Sequence, residues 1–224
     1  MKVVAIIPAK GTSQRVKNKN LYKINGKTLV EMACEKLLRC KSVDEVYLDT
    51  ESEKIILHVD HLFKEGLKLI KRPKELANND IGANEMLIYG LHSIGECDLV
   101  LQTFSTSPLI SSETIDDCII KFLSRENKND SFFTVNKMQE YLWDEKNKPI
   151  NFDINKLPNS FELDPIYVET HGLYGIYTAK LLELKTRVGN DPMLIPIPKY
   201  ESFDIDDMED LEIVKRLIKS ENKK

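Results

Sequence analysis

The strongest local chemical signal lies between Ala9 and Asn20. That stretch carries Lys10, Arg15, Lys17 and Lys19 and no acidic residue, in a chain whose net charge is −4. Gly11, Thr12 and Ser13 interleave with the cations. Ammonium and guanidinium groups together with small-residue backbone N–H donors suit a polyphosphate, whose oxygens need several donors and positive charge at once. The loop lacks the Gly-Lys-Ser/Thr ending of a Walker A loop and the GxGxxG of a dinucleotide site. A solvated basic loop without a task is the plain alternative. Its place directly after an apolar strand, where open α/β sheets bind ligands, favours phosphate.

A second signal is acidic. Phe203-Asp204-Ile205-Asp206-Asp207-Met208-Glu209-Asp210 precedes the last apolar periodic segment. Asp204 and Asp206 are two apart, so on extended backbone they face the same way. Two such carboxylates beside a phosphate site suit Mg²⁺, which takes one or two carboxylates plus substrate phosphates. The competing reading is an Asp206 or Asp207 helix cap. A third segment, Gln102-Thr103-Phe104-Ser105-Thr106-Ser107-Pro108-Leu109, offers hydroxyls to a base or ribose, or else a Ser/Thr turn before a helix.

Other reactive side chains carry less. His58, His61 and His92 fall on helical patterns and read as structural or surface groups. His171 lies on a late strand, where substrate contact is an option. Arg187 precedes Gly189-Asn190-Asp191-Pro192 and can meet a substrate carboxylate or remain a surface charge. Cys34, Cys40, Cys97 and Cys118 form no CxxC pair and read as reduced core thiols of a cytoplasmic protein. For Tyr141 and Trp143 internal packing is the plainer expectation, a lid or dimer contact the other.

These groups need a scaffold. Val3 to Pro8 is a short apolar run of the kind buried on both faces of a parallel sheet. Asn25-Gly26 marks a turn, and Thr28 with Glu31 forms a capping box for a helix to about Cys40. Strands then fall at Val46–Leu48, Leu67–Ile70, Leu99–Thr103 and Phe132–Asn136. Helices fall between them: from Ser52 through Phe63 to the stop at Gly66, at Gly82–Ile94, and from a Ser112 cap to about Ser124. That rhythm implies right-handed βαβ units on a mostly parallel sheet. The rhythm breaks over 138–166, which reads as an insertion that covers a site or makes a dimer contact. A long strand at Tyr167–Thr178, a short helix at Ala179–Leu184, a strand at Ile195–Ile197 and a helix from about Met208 complete the chain. The 224 residues are read as one domain, 1–224.

Composition narrows the class. The chain is 42% hydrophobic and 30% charged, which excludes a disordered tail or a fibrous repeat. A net-negative chain is a poor general nucleic-acid binder. No apolar run approaches the ~20 residues of a membrane span, and the run at Val3–Ile7 is too short for a signal peptide.

Taken together, the segments resemble the acylneuraminate cytidylyltransferase family, which includes CMP-sialic acid and CMP-Kdo synthetases. Ile7-Pro8-Ala9-Lys10 through Ser13 to Lys19-Asn20-Leu21 is similar to the family's IPAR-x-x-S-K-x4-K-N-L loop. Arg72-Pro73-Lys74-Glu75-Leu76-Ala77 is similar to RP-x-ELA, Thr106-Ser107-Pro108-Leu109 to the end of QPTSPL, and Asp204-Ile205-Asp206 with Asp210 to DID-x-x-x-D. The resemblance implies a three-layer Rossmann-like α/β fold with a small dimerisation or lid element. It implies CTP plus a sialic-acid-like or related 2-keto sugar acid giving a CMP-sugar and pyrophosphate, with Mg²⁺, in a homodimer. Lys10 and Lys19 would hold the triphosphate. Ala9, Gly11, Ser13, Arg15, Asn20, Gln102, Thr106 and Ser107 would complete the nucleotide site. Asp204 and Asp206 would hold Mg²⁺, and His171, Tyr174 and Arg187 would face the sugar acid.

The chain departs from the family at several points. Lys10 stands where Arg is usual, keeping charge and losing the bidentate fork. Gln14 replaces Lys, with Arg15 adjacent, and Phe104-Ser105 replaces Gln-Pro, with Gln102 on the same strand face. Alternatives are a cytidylyltransferase for another acceptor such as a phosphonate, a glycosyltransferase with an Asp-x-Asp metal pair, and a nucleotide-binding protein without catalysis. The basic loop disfavours the glycosyltransferase, which has no leaving pyrophosphate to grip.

Overall fold

The computed structural model describes residues 1–13, 15–78, 80–124 and 128–221, with residue 221 described by its backbone only. Gln14, one of the departures above, lies outside the described residues.

The elements run in chain order. They are β1 (Val3–Pro8), the hairpin β2 (Lys23–Ile24) and β3 (Lys27–Thr28), α1 (Leu29–Arg39), β4 (Glu45–Thr50), α2 (Glu53–His58) and β5 (Leu67–Lys71). Then come α3 (Ala83–His92), β6 (Leu99–Thr103), α4 (Ser112–Phe122), β7 (Ser131–Met138), β8 (Ile166–Tyr177), α5 (Thr178–Leu184), β9 (Pro192–Pro196) and α6 (Met208–Glu221). Seven strands form one sheet in the order β5-β4-β1-β6-β8-β7-β9. β5, β4, β1 and β6 pair in parallel, as does β7 with β9, while β8 is antiparallel to both its neighbours.

Strand β1 shows why the sheet is central. All six of its residues are buried. Val3, Ala5 and Ile7 face one cluster, with Val30, Ala33 and Leu37 of α1 and Ile115 and Ile119 of α4. Val4 and Ile6 face the other, with Leu87 and Leu91 of α3 and Leu181 of α5. Alternate residues of one strand thus fill both faces, giving a three-layer α/β sandwich. A third cluster matters more for the site. Val16, Ile24, Leu29, Leu109, Ile205, Leu211 and Val214 pack together, tying the basic loop, the hairpin, the segment after β6 and α6 into one body.

Local chemistry explains the boundaries. Asn25 and Gly26 both have positive φ, 50° and 87°, as a two-residue type I′ hairpin turn requires. The Thr28–Glu31 capping box is present in full. Three expectations need correction. The helix from Ser52 ends at His58 and continues through Asp60–Glu65 as a 3₁₀ turn, because Val59 leaves helical geometry at φ −111°, ψ 10°. Ser111, not Ser112, caps α4: its backbone is extended and its hydroxyl accepts from the Thr114 N–H. Trp143 is 49% exposed rather than packed inside. Its ring meets Phe152 edge-on at 5.2 Å, as Tyr141 does at 5.1 Å, so the 138–166 excursion has its own small aromatic cluster.

Candidate active site

The carboxyl ends of β1, β5 and β6 converge on a cavity of about 270 Å³. Six of the residues expected to bind nucleotide line it: Lys10, Ser13, Arg15, Lys19, Asn20 and Thr106. Pro8, Arg72, Asn78, Ile81, Met86 and Phe104 complete the wall. Of this second group, the sequence marks Arg72 and Phe104 without giving them a role and does not mark Asn78, Ile81 or Met86. The RP-x-ELA stretch directly after β5 is the signal available for Arg72.

The basic loop is fixed at several points. Asn20 Nδ2 donates to the Lys10 carbonyl at 2.7 Å, and its Oδ1 accepts from the buried Ser105 hydroxyl at 2.5 Å. Gly11 N–H donates to Glu51 at 2.6 Å, and a Cβ on Gly11 would come within 2.8 Å of Ser52, so the close approach requires glycine. Ala9 is buried and donates its N–H to the Asp49 carbonyl at 2.9 Å. It is scaffold beneath the cavity rather than lining.

The acidic segment lies against this loop. Lys19 Nζ donates to the Ile205 carbonyl at 2.5 Å and stands 4.0 Å from Asp206. Arg15 meets the same carboxylate at 2.6 Å. Burial lowers the Lys19 pKa, while Asp204 and Asp206 pull it back up. Ile205 is fully buried and donates its N–H to the Thr106 carbonyl at 2.8 Å. The aspartates on either side of it remain accessible, Asp206 the more so. Ser107 is buried and its hydroxyl donates to Asp204 at 3.2 Å. The helix-cap role belongs to Asp207, which accepts from the Glu209 and Asp210 N–H groups, while Asp210 accepts from those of Asp206 and Asp207. Asp204 and Asp206 are therefore not used as caps.

Arg72 reaches the cavity from a buried ion pair. Its Nε and Nη2 bind the two Asp49 carboxylate oxygens at 2.9 and 2.7 Å, with both side chains inaccessible. Burial pushes the Asp49 carboxyl up, and Arg72 opposes that shift.

A second group adjoins the cavity through Phe104. The Arg187 guanidinium lies 3.7 Å over the Tyr174 ring and 5.6 Å from the Phe104 ring. Its Nη1 donates to Gln102 Oε1 at 3.0 Å. Gln102 is fully buried and its Nε2 donates to the Ala83 carbonyl, so it positions Arg187 and does not line the nucleotide cavity. Tyr174 donates its hydroxyl to Glu169 at 2.6 Å and lies 3.1 Å from His171 Nδ1. Burial first, then the bond to Glu169, raise the Tyr174 pKa, and the Asp204 charge adds to the shift. Pairing of β7 with β8 slips between Phe133 and Val135, and there His171 takes a left-handed φ of 55°. This bulge turns an exposed His171 towards Tyr174.

Two other features do not build a site. Glu31, Glu35 and His61 bring ligand atoms within 4.8 Å of one another, the one such trio among the described residues. Lys27 already binds both Glu35 oxygens at 2.6 Å, and Glu31 caps α1. A larger cavity, about 520 Å³, lies by Lys27, Glu35, Lys36 and Arg39 and shares the loop after β6 through Pro108 and Leu109. Its walls carry mixed charges and none of the expected site residues.

Comparison with known proteins gives a consistent picture. The family model described as cytidylyltransferase matches residues 4–216. The chain is similar to the pseudaminic acid cytidylyltransferase of Campylobacter jejuni serotype O:23/36, 27% identical over 98% of this chain and 97% of that one. It is similar to the 3-deoxy-manno-octulosonate cytidylyltransferase of Thermodesulfovibrio yellowstonii, 22% identical over 97% of this chain and 98% of that one. Among solved structures, a CMP:2-keto-3-deoxy-manno-octonic acid synthetase complexed with CTP superposes with a TM-score of 0.68 at 16% identity, over 99% of this chain and 100% of that one. The expected Rossmann-like fold is thereby borne out.

Proposed function

The chain belongs to the cytidylyltransferase family, and we propose that it moves CMP from CTP to a 2-keto sugar acid, releasing pyrophosphate. One observation carries this reading. A single cavity at the sheet's ligand edge gathers Lys10, Ser13, Arg15, Lys19, Asn20 and Thr106, and Asp206 joins it through Arg15 and Lys19. Cations for a triphosphate and carboxylates for its counter-ion meet there.

The transfer is mainly a matter of positioning and charge. Lys10, Arg15 and Lys19 hold the triphosphate and stabilise the leaving pyrophosphate. Asn20 fixes the loop, and Ser13 and Asn20 contact the nucleotide. Asp204 and Asp206 offer hard oxygen ligands on one accessible edge, which fit Mg²⁺. When bound, Mg²⁺ supplies charge neutralisation at the phosphates. Arg15 and Lys19, engaged with Asp206 here, would be free to meet the phosphates if that carboxylate held the cation. On the acceptor side, Arg187 presents a planar guanidinium, held by Tyr174, Phe104 and Gln102, to the acid's carboxylate. The exposed His171 meets its hydroxyls; Tyr174, expected to do the same, is 2% exposed beneath Arg187 and positions the guanidinium instead.

The 138–166 excursion exposes Trp143, Ile150, Ile154, Leu157 and Phe161, and β8 beside it exposes Tyr167 and Val168. Such a patch supports a homodimer contact there.

The test is pyrophosphate release with Mg²⁺, each nucleoside triphosphate in turn and a panel of 2-keto sugar acids and phosphonates. Release with CTP and a sugar acid supports the reading. Release only with a phosphonate moves the acceptor. CTP binding without release from any acceptor leaves a nucleotide-binding protein.

A further inference from the structure

The loop between β6 and α4 serves both halves of the site. Thr106 lines the nucleotide cavity. The Thr106 carbonyl accepts from Ile205 N–H, which sets the backbone between the two aspartates. The Ser107 hydroxyl holds Asp204. The loop is itself held from beneath. Lys36 of α1 sends its ammonium to the carbonyls of Ser107 at 3.2 Å and Pro108 at 3.0 Å. At the other end of the loop, Glu201 accepts from Ser111 N–H at 2.9 Å. Glu201 is 3% exposed.

A cation under two carbonyls and a carboxylate under an N–H complement the loop's backbone dipoles. Both are costly places for charge, since burial penalises the ionised form. Burial brings the Lys36 pKa down to about 8, with Cys40 of the same helix and Glu201 of the facing turn opposing the fall. An apolar residue at 36 would fill the same volume and leave two carbonyls unsatisfied.

We propose that Lys36 is a positioning residue of the active site: by clamping the Ser107–Pro108 turn it sets Thr106 towards the nucleotide and holds Asp204 in place through Ser107. It touches neither nucleotide nor cation and acts through the loop. The inference rests on the reading that this cavity binds CTP with a cation on Asp204.

Lys36→Met removes the donors at similar volume, and Lys36→Arg restores them. Hydrogen exchange of the Ile205 amide reads the loop without any ligand, and CTP affinity with Mg²⁺ and with EDTA reads the site. Lys36→Met should speed Ile205 exchange at least tenfold. It should weaken CTP about tenfold with Mg²⁺ and less with EDTA, with partial recovery in Lys36→Arg. Adding Ser107→Ala to Lys36→Met should worsen the Mg²⁺-dependent binding little further, because both act on Asp204 by one route. A lower melting temperature with unchanged Ile205 exchange and unchanged CTP affinity would make Lys36 a fold residue only and overturn the proposal. If Lys36→Met does not fold, Lys36→Gln, which keeps one donor on a shorter stem, goes through the same two measurements: faster exchange with weaker CTP binding supports the clamp, and no change in either overturns it. Wild-type protein that binds no CTP would defeat the functional reading, whereas unchanged Ile205 exchange in the variants would defeat the Lys36 proposal alone.

Discussion

Asp206→Asn should change CTP binding in opposite directions with and without Mg²⁺. Asp206 neutralises Arg15 at 2.6 Å and lies 4.0 Å from Lys19. It therefore competes with phosphate for the same cations. The Arg15 and Asp206 side chains are 66% and 51% exposed, so the pair is worth at most about 1 kcal/mol. Releasing it gives up to roughly fivefold tighter binding in EDTA, since about 1.4 kcal/mol is tenfold. Relief of repulsion between the carboxylate and the triphosphate adds in the same direction and fades with salt. With Mg²⁺ present the variant offers the cation a neutral amide oxygen in place of a charged carboxylate, so CTP binding weakens at least tenfold and turnover falls by orders of magnitude. The fold should hold, because α6 is capped by Asp207 and the Asp206 N–H bond to Asp210 uses only backbone at position 206. Titration calorimetry with CTP in EDTA and then in Mg²⁺, at low and at physiological salt, reads both arms. Equal weakening of CTP in both buffers would refute the reasoning, since Asp206 would then only support the loop.

Three further outcomes are expected. Arg187→Met should raise the acceptor KM tenfold or more and leave the CTP KM unchanged in steady-state assays, because Arg187 does not line the nucleotide cavity. Asp49→Ala should cost roughly 3 to 5 kcal/mol, or about 10 °C in Tm by calorimetry, because it strands the buried Arg72 guanidinium. Lys36 is held near a pKa of about 8 in the fold against an ordinary 10.5, so above pH 8 the unfolded chain binds the extra proton and wild-type stability should rise relative to Lys36→Met, by at most about 3 kcal/mol and less where water reaches the amine. Urea midpoints of the two proteins, both carrying Cys40→Ala because the Lys36 charge lowers the Cys40 pKa, measure that difference at pH 7 and 9.5, and the buried Cys34 and Cys118 thiols, common to both, cancel.

The parallel half of the sheet is legible in the sequence because its signals are local. Apolar runs at β1, β4, β5 and β6, a capping box at Thr28 and the stop at Gly66 need no long-range information. The antiparallel placement of β8 between β6 and β7 is not legible. A twelve-residue strand looks the same in either direction, and its pairing is set by partners across the sheet. The site divides in the same way. Lys10, Ser13, Lys19 and Asn20 belong to one dense segment and stand out together. Asn78, Ile81 and Met86 come from the stretch between β5 and α3, whose ordinary polar and aliphatic residues carry no mark of the cavity they close. Gln102 shares a strand face with Phe104, which makes it look like a nucleotide contact. The structure buries it under Arg187, a partner 85 residues away in sequence.

The departures from the family pattern form a connected set, and that bears on whether catalysis is retained. Phe104 replaces a glutamine, and its ring stands beside Arg187. Gln102, two residues earlier, supplies an amide to the same guanidinium. Ser105 replaces a proline, and its new hydroxyl fastens Asn20, which fastens the Lys10 carbonyl. A site drifting after loss of function would accumulate changes singly, leaving buried polar groups without partners at a cost of about 1 to 3 kcal/mol each. Here Phe104 and Ser105 each have a partner within the site, and the basic loop still faces its aspartates. The pattern fits a cytidylyl centre kept intact with its acceptor side rebuilt around an aromatic-held arginine. The change should therefore lie in which acid is activated rather than in whether CTP is used.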